Sequence, residues 1–275
     1  MIYEEVKNSV ILKDIKCLDI ELSAVCGQAF RWKKTEDGFL KGTVKGKTAE
    51  IEKTNEGYIF HSCSEKEFKE VWYPYFDLDT DYCEICEKIS PDESIKKAVE
   101  MYYGIRILKQ EPWEALCSFI ISQNNNIPRI MGIVERFCQM FGEENEKGEF
   151  SFPSYEKLKG LRPEDLAPLK AGFRSKYIID AAEKLCNKEI DLDEICLMPI
   201  EKAREELMKI KGVGPKVAEC TLLYGFGRKE AFPIDVWVKR ILSELYPDGL
   251  PECIKGNEGI AQQYLFHWRR NLKEV

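Results

Sequence analysis

From about Ser9 to Ser62 short alternations of apolar and polar residues recur, in FLKGTV, TAEIEK and GYIF, separated by turn signals at Asp37-Gly38, Lys45-Gly46-Lys47 and Asn55-Glu56-Gly57. A period of two buries one face of a strand and wets the other, so this stretch predicts a small antiparallel sheet. A capping box at Ser64 and Glu67 then opens the amphipathic segment FKEVWYPYF, and from there the period lengthens to about 3.6. Helices are predicted after Ser90-Pro91, over Pro112–Ile121, Ile127–Phe141, Ser175–Cys186, Pro199–Lys209, Pro215–Tyr224 and Val236–Tyr246, and from about Gly259 to Lys273. Strands first and helices after give an α+β chain whose N-terminal sheet, residues 1–88, packs against a helical body, residues 89–275. No internal repeat and no low-complexity tract interrupts it.

A chain of 275 residues, 44% of them hydrophobic, can bury one large or two modest cores. No apolar run approaches the roughly 18–20 residues that span a bilayer, and the start, MIYEEVKNSV, lacks the regions of a signal peptide. A cytoplasmic protein without a membrane association is expected. Its eleven cysteines, an odd count, fit reduced thiols better than a disulfide framework. Cys83 and Cys86 form a C-x-x-C pair, but a zinc or redox reading would want a second pair or a strand-turn-helix setting. Two histidines, His61 and His267, give poor support to a histidine metal site or a Ser-His-Asp triad. The formal charge is 41 − 48 = −7. Taken alone that counts against a nucleic-acid partner, although a local groove of cations and helix N-termini can hold phosphates on an acidic protein.

The most informative stretch runs from Glu205 to Arg240, EELMKIKGVGPKVAECTLLYGFGRKEAFPIDVWVKR. It reads as a helix, a glycine hairpin, a second helix and then an acidic residue. Gly212 and Gly214 bracket Val213, and Pro215 suits the first position of a helix. Outward N–H groups there could hold a DNA phosphate without reading sequence; an ordinary helical hairpin would share the pattern. Lys216 stands just inside the second helix, where the dipole disfavours an ammonium and so favours the neutral, nucleophilic amine. Nineteen positions later Asp235 opens another helix. A carboxylate opposite an amine could stabilise positive charge on a sugar ring. Singly, the lysine would read as a surface residue and the aspartate as an N-cap.

This hairpin, followed by a Gly- and Pro-containing segment that ends in Asp235, resembles the signature of the helix-hairpin-helix DNA glycosylase superfamily. A lysine at 216 resembles its bifunctional branch. The chain ends HWRRNLKEV with Cys253 its last cysteine, so the C-terminal iron–sulfur cluster of some branches has no ligands. CGQAFRW (26–32), SQNNNIPRI (122–130), GFRSKY (172–177) and AQQYLF (261–266) narrow the resemblance to the 8-oxoguanine DNA glycosylase family. They span nearly the whole chain, in the family's order.

That resemblance implies a twisted N-terminal sheet joined to a helical glycosylase body, a base-excision repair activity on duplex DNA containing 8-oxoguanine, no cofactor, and a monomer. Lys216 would be the amine nucleophile and Asp235 its supporting carboxylate. 8-Oxoguanine carries a hydrogen on N7 where guanine has an acceptor, and the resemblance assigns its recognition to the carbonyl of Gly27. Cys220 and Phe266 would be the faces of the base pocket, and Gln262 would address the Watson–Crick edge. Phe173 would be the wedge, with Asn124, Arg129 and Arg174 on the orphaned cytosine. Gly212, Val213 and Gly214 would hold phosphate, and a cation could sit on the carbonyls of Met208, Ile210 and Val213. Where better-known members carry a phosphate-contacting histidine and a supporting acid, this chain has Trp237 and Arg269. The alternatives are a bifunctional glycosylase for another oxidised base and a non-catalytic hairpin protein that binds DNA.

Overall fold

The structure, a computed structural model, describes residues 2–272. Six strands form one antiparallel sheet in the order β1-β2-β6-β5-β4-β3: β1 Ile2–Val6, β2 Ser9–Lys13, β3 Trp32–Lys34, β4 Leu40–Val44, β5 Lys47–Thr54 and β6 Gly57–His61. Tight hairpins fix the registers. Lys7 and Asn8 both take positive φ between the paired Val6 and Ser9, and Lys45-Gly46 does the same between Val44 and Lys47, as two-residue loops matched to strand twist require. β1 lies outside the stretch whose alternation predicted strands. Four of its five residues are exposed, so it carries little period-two signal and is held as an edge by its ladder to β2.

One face of the sheet is dry. Val10, Leu12, Trp32, Ile51 and Phe60 pack there against Phe68, Trp72 and Phe76 of the segment after β6. That segment is helical as predicted, although Phe68–Trp72 widens into a π-type turn before Pro74 enters the first turn of the next piece. A helix at Ile20–Val25, capped by Asp19 accepting from the Leu22 N–H at 2.9 Å, interrupts the predicted run of strands. Six residues are too few to show a 3.6 period.

The helical body comprises Tyr82–Ile89, Glu93–Met101, Pro112–Ser122, Ile127–Phe141, Ser175–Cys186, Leu192–Leu197, Ile200–Met208, Pro215–Cys220, Val236–Leu245 and Glu258–Asn271. The predicted helix over Pro215–Tyr224 relaxes into a π-type turn at Thr221–Gly225, and the predicted end of the last helix, Lys273, lies outside the described residues. Tyr82–Ile89 and Leu192–Leu197 were not anticipated. Sheet and body are sutured by Arg106, which is 3% exposed. Its guanidinium donates to the carbonyls of Cys17 at 2.8 Å, Asp77 at 2.7 Å and Lys16 at 3.2 Å. Charge-assisted bonds of this kind are among the stronger ones a fold can make. No helix among the described residues is long and apolar enough to cross a membrane.

Candidate active site

The predicted hairpin forms between Ile200–Met208 and Pro215–Cys220, closed by the Val213 N–H donating to the Ile210 carbonyl at 3.0 Å. Gly212 has φ +80°, and a Cβ there would lie 2.4 Å from the Tyr177 ring; no other residue fits. Gly214 caps the second helix, whose first turn carries Lys216.

The amine of Lys216 is half-buried. It donates to the Ser122 hydroxyl at 3.2 Å and lies 5.0 Å from the centre of the Phe119 ring. The charges of Lys216 and Asp235 both bear on the thiol of Cys220, one turn on from Lys216. Burial pushes that thiol up to about 11, against the pull of Lys216, so Cys220 is neutral and offers an apolar face. Asp235 caps the helix Val236–Leu245, its Oδ1 accepting from the Val238 N–H at 2.8 Å. Lys216 and Asp235 form no ion pair with each other among the described residues. Glu219 sets the approach: it pairs with Arg204 and accepts from the Phe232 N–H at 2.7 Å. That fixes the strand-like segment leading to Asp235.

The other wall comes from both ends of the chain. Gly27 has φ +102°, and a Cβ on it would stand 3.4 Å from Arg270 Nη1 and Ile127 Cδ1 and 3.7 Å from the Phe266 ring. Gln28 holds this turn from behind, donating to the carbonyls of Ser23 at 2.9 Å and Arg106 at 2.7 Å and accepting from the Leu108 N–H at 2.9 Å. One turn before Phe266, the Gln262 side chain is 4% exposed and its Oε1 has no hydrogen-bond partner. Such an orphan costs about 1–3 kcal/mol, a cost a donor on a bound base would remove. The two walls are joined through protein: Phe119 stacks on Tyr224 at 5.2 Å, the Tyr224 hydroxyl donates to Gln263 Oε1 at 2.5 Å, and Gln263 Nε2 donates to Cys26 Sγ at 3.3 Å.

Around the mouth, Phe173 projects with 46% of its surface exposed. Asn124 and Arg129 are exposed on the loop and first turn at Gln123–Arg129, with Asn124 at φ +46°. Arg174 departs from expectation. It is 3% exposed, and its guanidinium donates to the carbonyls of Gln123, Asn124 at 2.9 Å and Ala171 at 3.1 Å. Its fork holds the Gln123–Asn124 loop instead of standing free for a base. Trp237 is half-buried with the Arg240 guanidinium 5.2 Å from its ring, and Arg269 pairs with Glu244 at 3.0 Å. The charge offered at 269 is thus met by Glu244. Arg129, Lys176, Lys211, Lys239, Arg240 and Arg270 are exposed and have no acidic partner among the described residues.

Sequence reasoning missed Phe119, Ser122, Arg270 and Glu219. Each acts by position beneath or beside a predicted residue. Phe119 and Ser122 share one helix face with three-residue spacing, a pattern that also describes ordinary core. Arg270 alone had a signal, since it lies one turn after Phe266.

With this geometry in hand, the chain can be compared with known proteins. Residues 10–116 match the family model for the 8-oxoguanine DNA glycosylase N-terminal domain, and residues 117–249 match that of the HhH-GPD superfamily of base excision DNA repair proteins. The chain is 39% identical over 189 residues to the N-glycosylase/DNA lyase of Saccharomyces cerevisiae, an alignment covering 62% of this chain and 50% of that protein. To the Arabidopsis thaliana N-glycosylase/DNA lyase OGG1 it is 29% identical over 245 residues, 84% of this chain and 67% of that one. The structure of Clostridium acetobutylicum 8-oxoguanine glycosylase/lyase in complex with double-stranded DNA containing cytosine opposite 8-oxoguanine superposes with a TM-score of 0.92 at 38% identity, covering 98% of both chains. The chain spans about half the length of the yeast relative and nearly all of the clostridial one. The fold is that of the HhH-GPD base excision DNA repair proteins, and the chain belongs to the 8-oxoguanine DNA glycosylase family.

Proposed function

We propose that this chain excises 8-oxoguanine from duplex DNA and nicks the abasic strand, with Lys216 as nucleophile. The observation that carries the reading is the half-buried Lys216 amine on the first turn of the hairpin's second helix, held by the Ser122 hydroxyl beside the Phe119 ring, with Phe119 joined through Tyr224 and Gln263 to Cys26, next to Gly27. A base extruded from the stack needs two faces and a polar edge. Cys220 and Phe266 supply the faces, Gln262 Oε1 the edge, and the Gly27 carbonyl accepts the N7 hydrogen that guanine lacks.

The Lys216 nitrogen attacks C1′ as the base departs, Asp235 stabilises the positive charge that builds on the sugar, and the resulting Schiff base permits β-elimination of the 3′ phosphate. No metal or organic cofactor enters these steps. Backbone N–H groups of Gly212 and Gly214 bind a phosphate, the Val213 N–H predicted with them being taken by the Ile210 carbonyl; Trp237 replaces a histidine at a second phosphate contact, and a cation on the carbonyls of Met208, Ile210 and Val213 would strengthen the first. Residues 1–88 carry the sheet, with the helix Tyr82–Ile89 already packed into the core of the body, and residues 89–275 the catalytic body, working as a monomer in a DNA-containing compartment.

The test is borohydride reduction in the presence of an 8-oxoguanine:cytosine duplex. A covalent protein–DNA complex mapping to Lys216 is expected. Its absence from folded, DNA-binding protein would overturn the assignment, and a panel of oxidised bases cut faster than 8-oxoguanine would move the substrate to one of them.

A further inference from the structure

The groups that the proposed pocket offers to a base are acceptors of hydrogen bonds. Among the described residues Gln262 Oε1 is buried without a partner, and no backbone hydrogen bond ends on the Gly27 carbonyl. 8-Oxoguanine meets acceptors with its donors at N1, N2 and N7, but it also carries two carbonyls, O6 and O8. O6 lies beside N1, where the nitrogen of the Gln262 amide can donate to it while the amide oxygen accepts from N1. O8 lies on the far side of N7, next to the hydrogen assigned to Gly27. An oxygen desolvated there without a donor would weaken binding.

Arg270 stands at that end of the wall. A Cβ on Gly27 would lie 3.4 Å from Arg270 Nη1 and 3.7 Å from the Phe266 ring, and the guanidinium carbon is 6.0 Å from the centre of that ring. The Gly27 backbone, the Phe266 ring and the Arg270 fork thus converge, because Arg270 follows Phe266 by one helical turn. Arg270 is exposed, and among the described residues it makes no hydrogen bond and no ion pair, whereas the neighbouring Arg269 is met by Glu244. Its donors are unspent. A free arginine on a DNA-binding protein is commonly a phosphate contact. Contact with Gly27 and Phe266 favours the base instead, since these are the groups given to the ring of the lesion and not to the DNA backbone.

We propose that Arg270 is a lesion-specificity residue: on the reading that the wall of Gly27 and Phe266 holds 8-oxoguanine, its guanidinium donates to O8, the oxygen that distinguishes the lesion from guanine. A hydrogen bond from a charged donor is roughly twice as strong as a neutral one. Guanine offers only a C–H at that position, and at N7 it sets an acceptor against the Gly27 carbonyl. The lesion is then read at two adjacent positions, N7–H by the backbone and O8 by the side chain.

The test compares the wild type with Arg270→Met, which keeps a long unbranched side chain against Phe266 and removes the donors. Single-turnover excision is measured on duplexes with 8-oxoguanine or 8-thioguanine opposite cytosine; the second keeps N7–H and O6 but carries at C8 a sulfur that accepts weakly. Binding is measured on the same duplex with a tetrahydrofuran abasic analogue, which has no base. Arg270→Met should slow excision of 8-oxoguanine by about 10–100-fold, as loss of a hydrogen bond to a charged group implies. It should slow 8-thioguanine by a smaller factor, bind the abasic duplex as the wild type does, and unfold at the wild-type temperature. Equal weakening on the 8-oxoguanine and abasic duplexes would make Arg270 a phosphate contact and overturn the proposal. Equal factors on the two modified guanines, or an unchanged rate on 8-oxoguanine, would overturn it as well. A wild type that leaves 8-oxoguanine in place would sink the substrate reading and this proposal with it, an outcome told apart from the others because in those the wild type is active.

Discussion

The dry face of the sheet and the last helix are both well buried, yet they satisfy their polar atoms in opposite ways. In the sheet core, Phe60 meets the rings of Phe68 at 5.1 Å, Phe76 at 6.1 Å and Trp72 at 6.4 Å, and the polar tips are matched: the Trp32 indole donates to the Tyr75 hydroxyl at 2.8 Å and that of Trp72 to Glu67 at 3.0 Å. Along Glu258–Asn271, four buried atoms lack a partner among the described residues: Glu258 Oε2, Gln262 Oε1, His267 Nδ1 and Arg269 Nε. Burial also holds His267 below the ordinary imidazole value, with Arg270 adding to the effect. Stability favours the first arrangement. The second leaves buried polar atoms unmatched, Gln262 Oε1 one turn before Phe266 among them, and it sets the last helix apart from the scaffold core.

The contrast predicts that substitutions in the two regions move different observables. The largest change should come from Lys216→Gln, which removes the amine but keeps similar volume. Base release and borohydride trapping should vanish while lesion binding and the unfolding temperature hold near wild type. Turnover at the wild-type rate would place the nucleophile elsewhere. Phe60→Ala is its counterpart in the scaffold. Emptying a site that is 0% exposed should cost about 3–5 kcal/mol of stability, read by denaturant unfolding, while trapping per folded molecule persists. Were trapping lost in molecules that remain folded, the sheet would belong to the site.

Asp235→Asn comes next. Asparagine caps a helix about as well as aspartate, so the bond to Val238 and the unfolding temperature should survive, while single-turnover rate falls on the order of 10²–10³-fold with the charge gone. A rate equal to wild type would reduce Asp235 to a cap. Gln262→Ala deletes the orphaned amide. Excision of 8-oxoguanine should weaken by about 1–3 kcal/mol, and stability should stay level or rise because a buried unpaired atom has been removed. A large loss of stability with unchanged excision would make Gln262 part of the scaffold.

How much of this could be read in the sequence follows the same division. The sheet hairpins were legible because Lys45-Gly46 and Asn55-Glu56 punctuate clean alternation, and the hairpin with Lys216 and Asp235 was legible because its turn needs glycine at a fixed place. β1 and Ile20–Val25 were not, being too exposed or too short to show a period. Phe119 and Ser122 were hidden for a different reason. Ser122 meets Lys216 across 94 positions of chain and Phe119 lies beside the same amine, and only the packed helices bring them together. Arg174 was legible as important but not in its role, since a buried arginine and a base-reading one look alike until their acceptors are known.

That last difference yields the smallest and most discriminating effect. Arg129 is exposed and has no acidic partner among the described residues, whereas the donors of Arg174 are engaged by Gln123, Asn124 and Ala171. Burial and the nearby Arg129 also hold Arg174 below the ordinary guanidinium value. An orphaned cytosine offers O2 and N3 as acceptors to a guanidinium, while adenine places an N6 donor beside its N1 acceptor. Donor facing donor leaves polar groups unpaired, at about 1–3 kcal/mol each. Arg129→Ala should therefore narrow the preference for cytosine over adenine by slowing the cytosine duplex alone. Arg174→Ala should instead loosen the Gln123–Asn124 loop, slowing the cytosine and adenine duplexes by similar factors and lowering the unfolding temperature. Single-turnover rates on duplexes with each of the opposite bases separate the two. A cytosine preference that changes in Arg174→Ala but not in Arg129→Ala would show that the buried arginine leaves its carbonyls to read the base, and that the loop is remade on binding DNA.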